Sequence, residues 1–250
     1  MPIRNITCVK RHCSSELAAC LADDLCKQNF NCCGQCDGDS TCLFYCSESY
    51  KSDTQDALSY CMIDQNGCFD LPPPDPINNA TCRDPADAVV PGLDKQMLEG
   101  EWYVVAGLNQ EYDCFGCQIQ DFEFSGLRAV DYQATYNLIA VNGTLIWNHV
   151  EMLGSEETPG IMTLHGHDSG HDDTQYWYFL LQEDDTAFIY YCGSILTWHF
   201  EGGLVLSRNT YFNSQYTEAI QQKLDVLGLG YSDLCVLDPQ DECYGAPVVA

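Results

Sequence analysis

The chain of 250 residues is strongly acidic, since 37 Asp and Glu residues against 10 Lys and Arg residues give a formal net charge of −27. A surface of this sign repels phosphates and anionic headgroups, which excludes nucleic acid as a partner and disfavours adhesion to anionic lipid at neutral pH. Seventeen cysteines far exceed cytosolic usage and indicate an oxidising compartment.

Residues 1–70 form a Cys-rich module in which the segments between cysteines favour helix. A module this small cannot bury enough apolar surface unaided, so we expect helical hairpins held together by disulfides. Zinc binding by Cys33 and Cys36 is the competing interpretation, but no second Cys-x2-Cys pair within this module completes the ligand set. A nested arrangement fits the spacing, which by itself leaves the connectivity open: Cys8–Cys26 around Cys13–Cys20, Cys32–Cys46 around Cys36–Cys42, and Cys61–Cys68.

Residues 71–93 are predicted to be a linker. Prolines at positions 72, 73, 74 and 76 fix backbone angles and remove amide donors, so the segment around Asp75 should run extended. Cys82 lies within this linker, where it can anchor the linker to the domain that follows.

Residues 94–212 contain eight short β-prone segments separated by turn residues. Eight antiparallel strands can close into a barrel that removes its own edges and holds one small apolar ligand. The predicted fold class is therefore mainly β, with an eight-stranded barrel preceded by the small disulfide-linked helical module. The predicted strands are 101–108, 117–124, 132–140, 144–152, 160–165, 175–181, 187–192 and 203–208.

The first predicted strand begins at Gly100-Glu101-Trp102. Gly100 lets the chain turn sharply into the strand, and Trp102 can plug the closed end of the barrel with a large apolar ring. Arg208, at the end of the eighth segment, is well placed to lie across that ring. A Gly-x-Trp start followed by eight strands resembles a lipocalin.

Residues 213–250 are predicted to form a helix and a disulfide-tethered tail. Ser214 can cap the helix, and Gly228 or Gly230 can end it. Cysteines 235 and 243 should tie the tail back to the barrel. Apolar residues at helical spacing should pack on the barrel wall: Ile220, Leu224 and Leu227.

The two modules together resemble violaxanthin de-epoxidase and its relatives over nearly the whole chain. The resemblance is specific, because two unlike modules must agree in order and spacing at once. It implies the nested disulfides described above, with Cys117 joined to Cys243. Besides the cysteine spacing of residues 8–68, it is carried by Pro74-Asp75-Pro76, Gly100-Glu101-Trp102-Tyr103, Gly107-Leu108-Asn109, Asp113-Cys114-Phe115-Gly116-Cys117-Gln118, Trp177-Tyr178, Phe188-Ile189-Tyr190-Tyr191-Cys192-Gly193 and Gly202-Gly203.

The resemblance implies an enzyme of the chloroplast thylakoid lumen. Such an enzyme binds a violaxanthin- or diadinoxanthin-type carotenoid in its barrel and reduces the epoxide with ascorbate. An epoxide oxygen is a poor leaving group until it is protonated, so an acid must lie beside it. A carboxyl in an apolar barrel has a raised pKa and stays protonated as the lumen acidifies. The resemblance also implies a homodimer at low pH, and the setting suggests the thylakoid membrane or a photosystem antenna complex as further partners.

By the same resemblance, the catalytic candidates are Tyr191, Tyr190 beside it, and Asp113, together with the position that Gln175 occupies. The structural pair at the closed end would be Trp102 and Arg208. The residues expected to contact substrate are Trp177, Tyr178, Leu206 and Trp198.

This chain departs from the family pattern at several of those positions. Gln175 stands where the family has its key Asp, and an amide donates a hydrogen bond but no proton. Recruiting Asp172 or Asp173 instead was expected to require a slip in strand register, and a one-residue slip reverses the facing of every side chain. The other departures are Gly116 for an Asp, Gln120 and Glu123 for two His residues, and Leu206 for a substrate-lining Tyr.

Three histidines and three carboxylates cluster between residues 165 and 173. This cluster can be a solvated hairpin loop, a pH-responsive element or a metal site. The family has a functional His close to His167. We therefore select His165, His167, His171 and Asp75 as pH-responsive candidates and assign no metal.

Three functions fit these observations. The first is an enzyme that opens an epoxide, either by ascorbate-dependent reduction or, if Gln175 blocks reduction, by redox-neutral isomerisation with Tyr191 and Asp113 moving the proton. The second is a non-catalytic carotenoid carrier or structural subunit of a light-harvesting complex. The third is an unrelated lumenal protein that uses its disulfides as a redox switch.

Overall fold

The computed structural model describes residues 6–68, 82–126, 128–168, 170–196, 198–243 and 246–247. The proline-rich first part of the predicted linker, including Asp75, lies outside the described residues. None of the helices within the described residues is long and apolar enough to cross a membrane.

The N-terminal module consists of short helices, three of which begin at polar caps. Asp23, Asp39 and Ser52 each accept a hydrogen bond from a backbone N–H of the first turn that follows them. The helices are α1 (Ile6–His12), α2 (Ser14–Ala22), α3 (Asp24–Cys33), α4 (Ser40–Ser49) and α5 (Asp53–Tyr60), and a π-helical turn (Cys61–Gln65) follows.

The disulfides of this module close larger loops than the nested prediction supposed. The predicted pairs Cys8–Cys26, Cys13–Cys20 and Cys61–Cys68 are wrong, because α1 packs against the π-helical turn at the far end of the module. The structure instead contains Cys8–Cys68, Cys13–Cys61 and Cys20–Cys26, together with the predicted Cys32–Cys46 and Cys36–Cys42. First and last helices are thereby joined, which explains how so small a core holds together.

Eight antiparallel strands form a closed barrel, which confirms the predicted fold class. Closure follows because the first strand pairs with both the second and the eighth, while a short ninth strand pairs with the other end of the first. The strands are β1 (Gly100–Gly107), β2 (Gln118–Ser125), β3 (Ala129–Ile139), β4 (Leu145–Thr158), β5 (Ile161–Asp168), β6 (His171–Gln182), β7 (Thr186–Ile195), β8 (Trp198–Ser207) and β9 (Cys235–Val236).

Strands β3 to β8 are longer than their sequence pattern predicted, whereas β1 and β2 have the predicted length. The histidine-rich segment from 165 to 173 is not a loop, because β5 continues to Asp168 and β6 begins at His171. Gly170 lies between the two strands with φ +84°, a conformation that glycine adopts readily, and it allows the chain to reverse direction between Asp168 and His171. Ladder pairing with β6 and β7 holds these polar residues in strands despite their low β-propensity.

One end of the barrel is closed by Trp102 and Arg208. Trp102 is fully buried, and its indole N–H donates to Leu98 O at 2.8 Å. The guanidinium carbon of Arg208 lies 3.8 Å from the centre of that ring, and its nitrogens donate to the carbonyl oxygens of Met97, Glu99 and Glu101. Leu98 ends a single-turn helix, α6 (Lys95–Leu98).

A C-terminal helix packs on the outside of the barrel. A 3-10 turn (Ser214–Tyr216) leads into α7 (Thr217–Val226), and the cap is Asn213 rather than the predicted Ser214, because the Asn213 side chain accepts from Gln215 N. The helix buries Ile220, Leu224 and Leu227 against outward-facing barrel residues. The tail, which includes α8 (Pro239–Glu242), and the described part of the linker are tied to the barrel by Cys114–Cys235, Cys117–Cys243 and Cys82–Cys192.

Candidate active site

A cavity of about 530 Å³ begins inside the barrel and continues beneath the Cys-rich module. Its barrel portion is lined by aromatic rings, among them Tyr132, Trp177, Tyr191 and Phe200. The ring centroids of Trp177 and Tyr191, which face each other across β6 and β7, lie 6.1 Å apart. The volume and the apolar lining suit an organic ligand.

A buried carboxyl–phenol pair lies against this cavity. Asp113 is 1% exposed, and its Oδ1 accepts a 2.6 Å hydrogen bond from the Tyr191 hydroxyl. Its Oδ2 accepts from the backbone N–H groups of Asn109 and Gly203 at 2.8 and 3.0 Å. Burial raises the pKa of Asp113 to about 6, although the hydrogen bonds lower it, and burial also raises the pKa of Tyr191 well above its usual value.

Two glycines make room for this pair. A Cβ on Gly202 would overlap the Tyr191 hydroxyl, and a Cβ on Gly107 would overlap the side chain of Asp113. The Gly107 and Gly202 positions therefore belong to the site as much as the polar groups do.

A second buried carboxyl lies on β6. Alternate residues of a strand share a face, so Asp173, Gln175 and Trp177 line the cavity together. The Gln175 amide nitrogen donates to Asp173 Oδ2 at 2.7 Å, and Trp177 Nε1 donates to Gln175 Oε1 at 2.8 Å. Asp173 is 8% exposed, and burial is the main cause that raises its pKa to about 7. Its Oδ1 has no hydrogen-bond partner among the described residues.

Asp173 is the residue that the sequence argument missed. A one-residue slip of register would turn the carboxyl outward. Asp173 precedes Gln175 by two residues, however, so it points to the same side of the sheet without any slip. The alternation along β6 was the signal that could have identified it. Asp172, one residue earlier, faces outward: it is exposed, and its Oδ1 lies 3.0 Å from His167 Nδ1.

Further polar atoms lie deep in the barrel without partners. The Tyr132 hydroxyl donates to Gln120 Oε1, while Gln120 Nε2 and Gln118 Oε1 are buried with no partner within the described residues. Burial, followed by the charges of Asp113 and Asp173, raises the pKa of Tyr132. Since buried polar groups are almost always paired and Gln118 lines the cavity, its oxygen marks a place where a ligand can supply the missing partner.

His171 links the barrel to the Cys-rich module. Its Nε2 lies 3.0 Å from Ser59 Oγ of α5, and its Nδ1 lies 2.8 Å from Asp64 Oδ2 of the π-helical turn. This Ser–His–Asp order is that of hydrolytic triads, but Ser59 lies inside a helix whose N–H groups are engaged, so no oxyanion hole can form from the backbone beside it. We assign these contacts to docking of the module on the barrel.

A second set of contacts joins the same two parts. The Glu48 carboxylate of α4 accepts 2.6 Å hydrogen bonds from the Tyr136 hydroxyl and the Asn148 amide. Lys51 Nζ lies 3.3 Å from Asp168 Oδ1. Burial raises the pKa of Glu48 to about 7, and the charge of Asp168 adds to this effect. The contacts that hold the module against the barrel are thus polar and titratable.

Comparison with known proteins identifies the family. A family model described as the VDE lipocalin domain matches residues 5–239. The chain belongs to the VDE lipocalin domain family. It is 22% identical over 243 residues to violaxanthin de-epoxidase, chloroplastic, of Arabidopsis thaliana, a match that covers 92% of this chain and 51% of the relative. The protein of the same description from Spinacia oleracea is 25% identical over 217 residues, covering 82% and 44%. The chain thus spans about half the length of these relatives.

Solved structures similar to this VDE lipocalin domain include crustacyanin subunits. Apocrustacyanin C2 gives a TM-score of 0.46 at 16% identity, covering 60% of this chain and 81% of that one. Apocrustacyanin C1 gives a TM-score of 0.45 at 17% identity, covering 61% and 91%.

Several site residues predicted from the sequence lie away from the cavity of this VDE lipocalin domain. Tyr190 and Tyr178 belong to the outer cluster beneath α7, and the Tyr190 hydroxyl donates to Glu201. Their predicted catalytic and substrate-contacting roles do not fit this placement, because their side chains alternate with the inward-facing Trp177 and Tyr191. Leu206 lies in the core inside the barrel but not on the cavity wall.

The remaining predicted residues divide between surface and interior. His165 and His167 are exposed, unlike His171. The Trp198 side chain lies outside the part of the chain that the structure describes. Asp113, Gln175, Trp177 and Tyr191 do meet at the cavity.

Proposed function

We propose that this protein binds an epoxy-xanthophyll in its barrel and opens the epoxide by acid catalysis, with Asp173 as the proton donor. The observation that carries the proposal is the Asp173 carboxyl, buried on the cavity wall with a pKa raised to about 7 and with Oδ1 unpartnered among the described residues. A carboxyl of this kind is protonated in a mildly acidic compartment and can transfer its proton to an oxygen beside it.

Two outcomes follow once the epoxide oxygen is protonated. In the reductive outcome, ascorbate as co-substrate supplies two electrons, a second proton is taken up, and the products are a carbon–carbon double bond, water and dehydroascorbate. In the redox-neutral outcome, the C–O bond breaks, the oxygen remains as a hydroxyl, and a neighbouring carbon loses a proton. The Tyr191–Asp113 pair would accept the proton that this carbon loses, since Asp113 has a pKa of about 6 and accepts a hydrogen bond from the Tyr191 hydroxyl.

The proposed setting is the chloroplast thylakoid lumen. The printed descriptions of the relatives as chloroplastic violaxanthin de-epoxidases support the organelle and the pigment class. The net charge and the raised pKa values of the buried carboxyls suit a compartment that acidifies. A homodimer at low pH and contact with the thylakoid membrane or an antenna complex belong to the same proposal.

A carotenoid carrier or structural subunit of a light-harvesting complex is the second candidate function. It is favoured by Gln175, because the amide at this position cannot donate a proton and it hydrogen-bonds Asp173 Oδ2. In a carrier the same polar groups would orient the pigment without turnover.

Incubation of the purified protein with violaxanthin at about pH 5, with and without ascorbate, separates these functions. A zeaxanthin product that requires ascorbate supports reduction. A product that forms without ascorbate supports isomerisation. Pigment that stays bound and unchanged supports the carrier and contradicts the catalytic proposal.

A further inference from the structure

We propose that the Cys-rich module supplies a second ligand subsite, in which the Gln55 amide hydrogen-bonds a hydroxyl on the terminal ring of a long carotenoid whose other end lies in the barrel. The inference rests on the proposed function for the class of ligand only and does not require turnover. It assigns the module a direct part in binding, beyond its part in stabilising the chain.

The cavity wall is continuous from the barrel into the module. Phe44 of α4 packs edge-on against Tyr112, with ring centroids 5.0 Å apart, and lies over Phe115, which stacks on Tyr136 at 4.8 Å. All four rings line the same cavity. An elongated apolar molecule can therefore contact aromatic rings from the barrel into the module.

The module end of the cavity is mostly apolar. Its wall includes Phe30 of α3, Leu43 of α4, and Met62 and Ile63 of the π-helical turn. These side chains come from separate helices that the disulfides hold together, so the wall exists only in the folded, oxidised module. A hydrocarbon ring is the kind of group that such a wall accommodates.

Two buried amides interrupt this apolar wall. Gln55, in the first turn of α5, is 6% exposed, and its Oε1 has no hydrogen-bond partner among the described residues. Asn29 of α3 is 4% exposed and is satisfied differently, since its Nδ2 donates to Cys46 O and its Oδ1 accepts from the Cys33 thiol. An unpaired buried amide oxygen is costly, so Gln55 needs a donor that a ligand hydroxyl can supply.

These observations specify a ligand with apolar length and a polar end. A hydroxyl on a ring at one end of a polyene would meet the Gln55 amide, while the polyene would run past Asp173 and the opposite ring would lie farther into the barrel, near Trp177 and Tyr191. A carotene without hydroxyls would fill the same apolar wall but leave the amide unpaired. The preference for a hydroxylated carotenoid over its hydroxyl-free counterpart therefore measures the contact.

The first test compares zeaxanthin, which has a hydroxyl on each ring, with β-carotene, which has none, by equilibrium binding to the full oxidised chain. We expect Gln55→Leu to reduce the preference for zeaxanthin about tenfold, the size of one hydrogen bond to a buried amide. The matched control is Gln28→Leu, which removes an exposed glutamine of the same module and should keep the wild-type preference. An unchanged preference in Gln55→Leu overturns the inference.

A second variant keeps the test decisive if Gln55→Leu fails to fold. Leu43→Phe adds volume at the module end of the wall and should weaken zeaxanthin binding at least about fivefold. It should leave unchanged the binding of retinol, whose single ring and shorter chain fit within the barrel. Equal effects on both ligands, or no effect on either, overturn the inference. If the wild-type protein shows the zeaxanthin preference but does not open the epoxide of violaxanthin, the result contradicts the proposed function and not this subsite.

Discussion

The Tyr191 hydroxyl and Asp113 Oδ1 lie 2.6 Å apart inside the barrel, in space that exists only because residue 202 is glycine. Tyr191 and Gly202 are direct neighbours across β7 and β8. Asp173 lies on the same face of the neighbouring strand β6. Two carboxyls with raised pKa values, those of Asp113 and Asp173, therefore share one cavity.

Replacement of Tyr191 by phenylalanine should abolish product formation. It removes the phenol that completes the hydrogen bonds of Asp113, and general acid–base groups of this kind contribute about 100-fold or more to rate. Chromatography of the pigments after incubation measures the effect. The control is Tyr190→Phe, since Tyr190 faces the outer cluster and should tolerate the change. Unchanged turnover in Tyr191→Phe would remove Tyr191 from the mechanism.

The protein should become more stable as the pH falls from about 8 to about 4.5. The folded-state pKa values of Asp113 and Asp173 are raised, to about 6 and about 7, so their contribution is complete below the unfolded value near 4 and is lost as the pH rises through the folded values. Thermal melting against pH measures this.

The contribution of Asp173 can be isolated by substitution. In Asp173→Asn the rise in stability on acidification should shrink by a few kcal/mol at most, because each unit of pKa shift corresponds to about 1.4 kcal/mol. Relief of repulsion within the acidic surface acts in the same direction in both proteins and cancels in the comparison. Identical pH dependence in wild type and variant would show that Asp173 is not perturbed by burial.

Reduction of the disulfides by a strong thiol should loosen the N-terminal module and lower the free energy of unfolding by several kcal/mol in total, from about 2–4 kcal/mol per bridge. The pair Cys13–Cys61 joins the two ends of the module and is the best single test, through the double variant Cys13→Ala and Cys61→Ala. Cys33→Ser removes no disulfide and serves as the control. If melting is untouched by reduction, the bridges do not stabilise the fold.

Arg208→Met should destabilise the closed end of the barrel by about 2–3 kcal/mol. The variant loses the contact of the guanidinium with the Trp102 ring and its hydrogen bonds to three carbonyl oxygens. Denaturant unfolding measures the change. Arg128→Met, at an exposed arginine, should lie within about 0.5 kcal/mol of the wild type. A similar small effect for Arg208→Met would contradict the assigned role.

Local sequence signals predicted the architecture because each depends on nearby residues. Alternation and turn residues indicated all eight strands, and Gly100-x-Trp102 indicated where the barrel closes. The ends of β5 and β6 were missed because their histidines and aspartates have low β-propensity, and only pairing across the sheet holds them in strands. The disulfides of α1 were missed because they join residues 48 and 60 positions apart, a separation that spacing does not encode.

The site was predictable where a short motif carries it. Trp177 and Tyr191 could be assigned from their motifs, whereas the facing of Tyr190 and Tyr178 required knowledge of which side each strand buries. The part of the cavity wall formed by the module depends on how two separately patterned domains dock. No periodicity within either domain indicates that contact.

In the proposed mechanism Asp173 donates the proton that opens the epoxide, so the decisive measurement is the rate of epoxide loss from violaxanthin at about pH 5. The rate in Asp173→Asn should fall at least about 100-fold, whereas Asp172→Asn, which alters the exposed neighbour, should keep the wild-type rate. An Asp173→Asn protein that turns over violaxanthin as fast as the wild type would contradict the account.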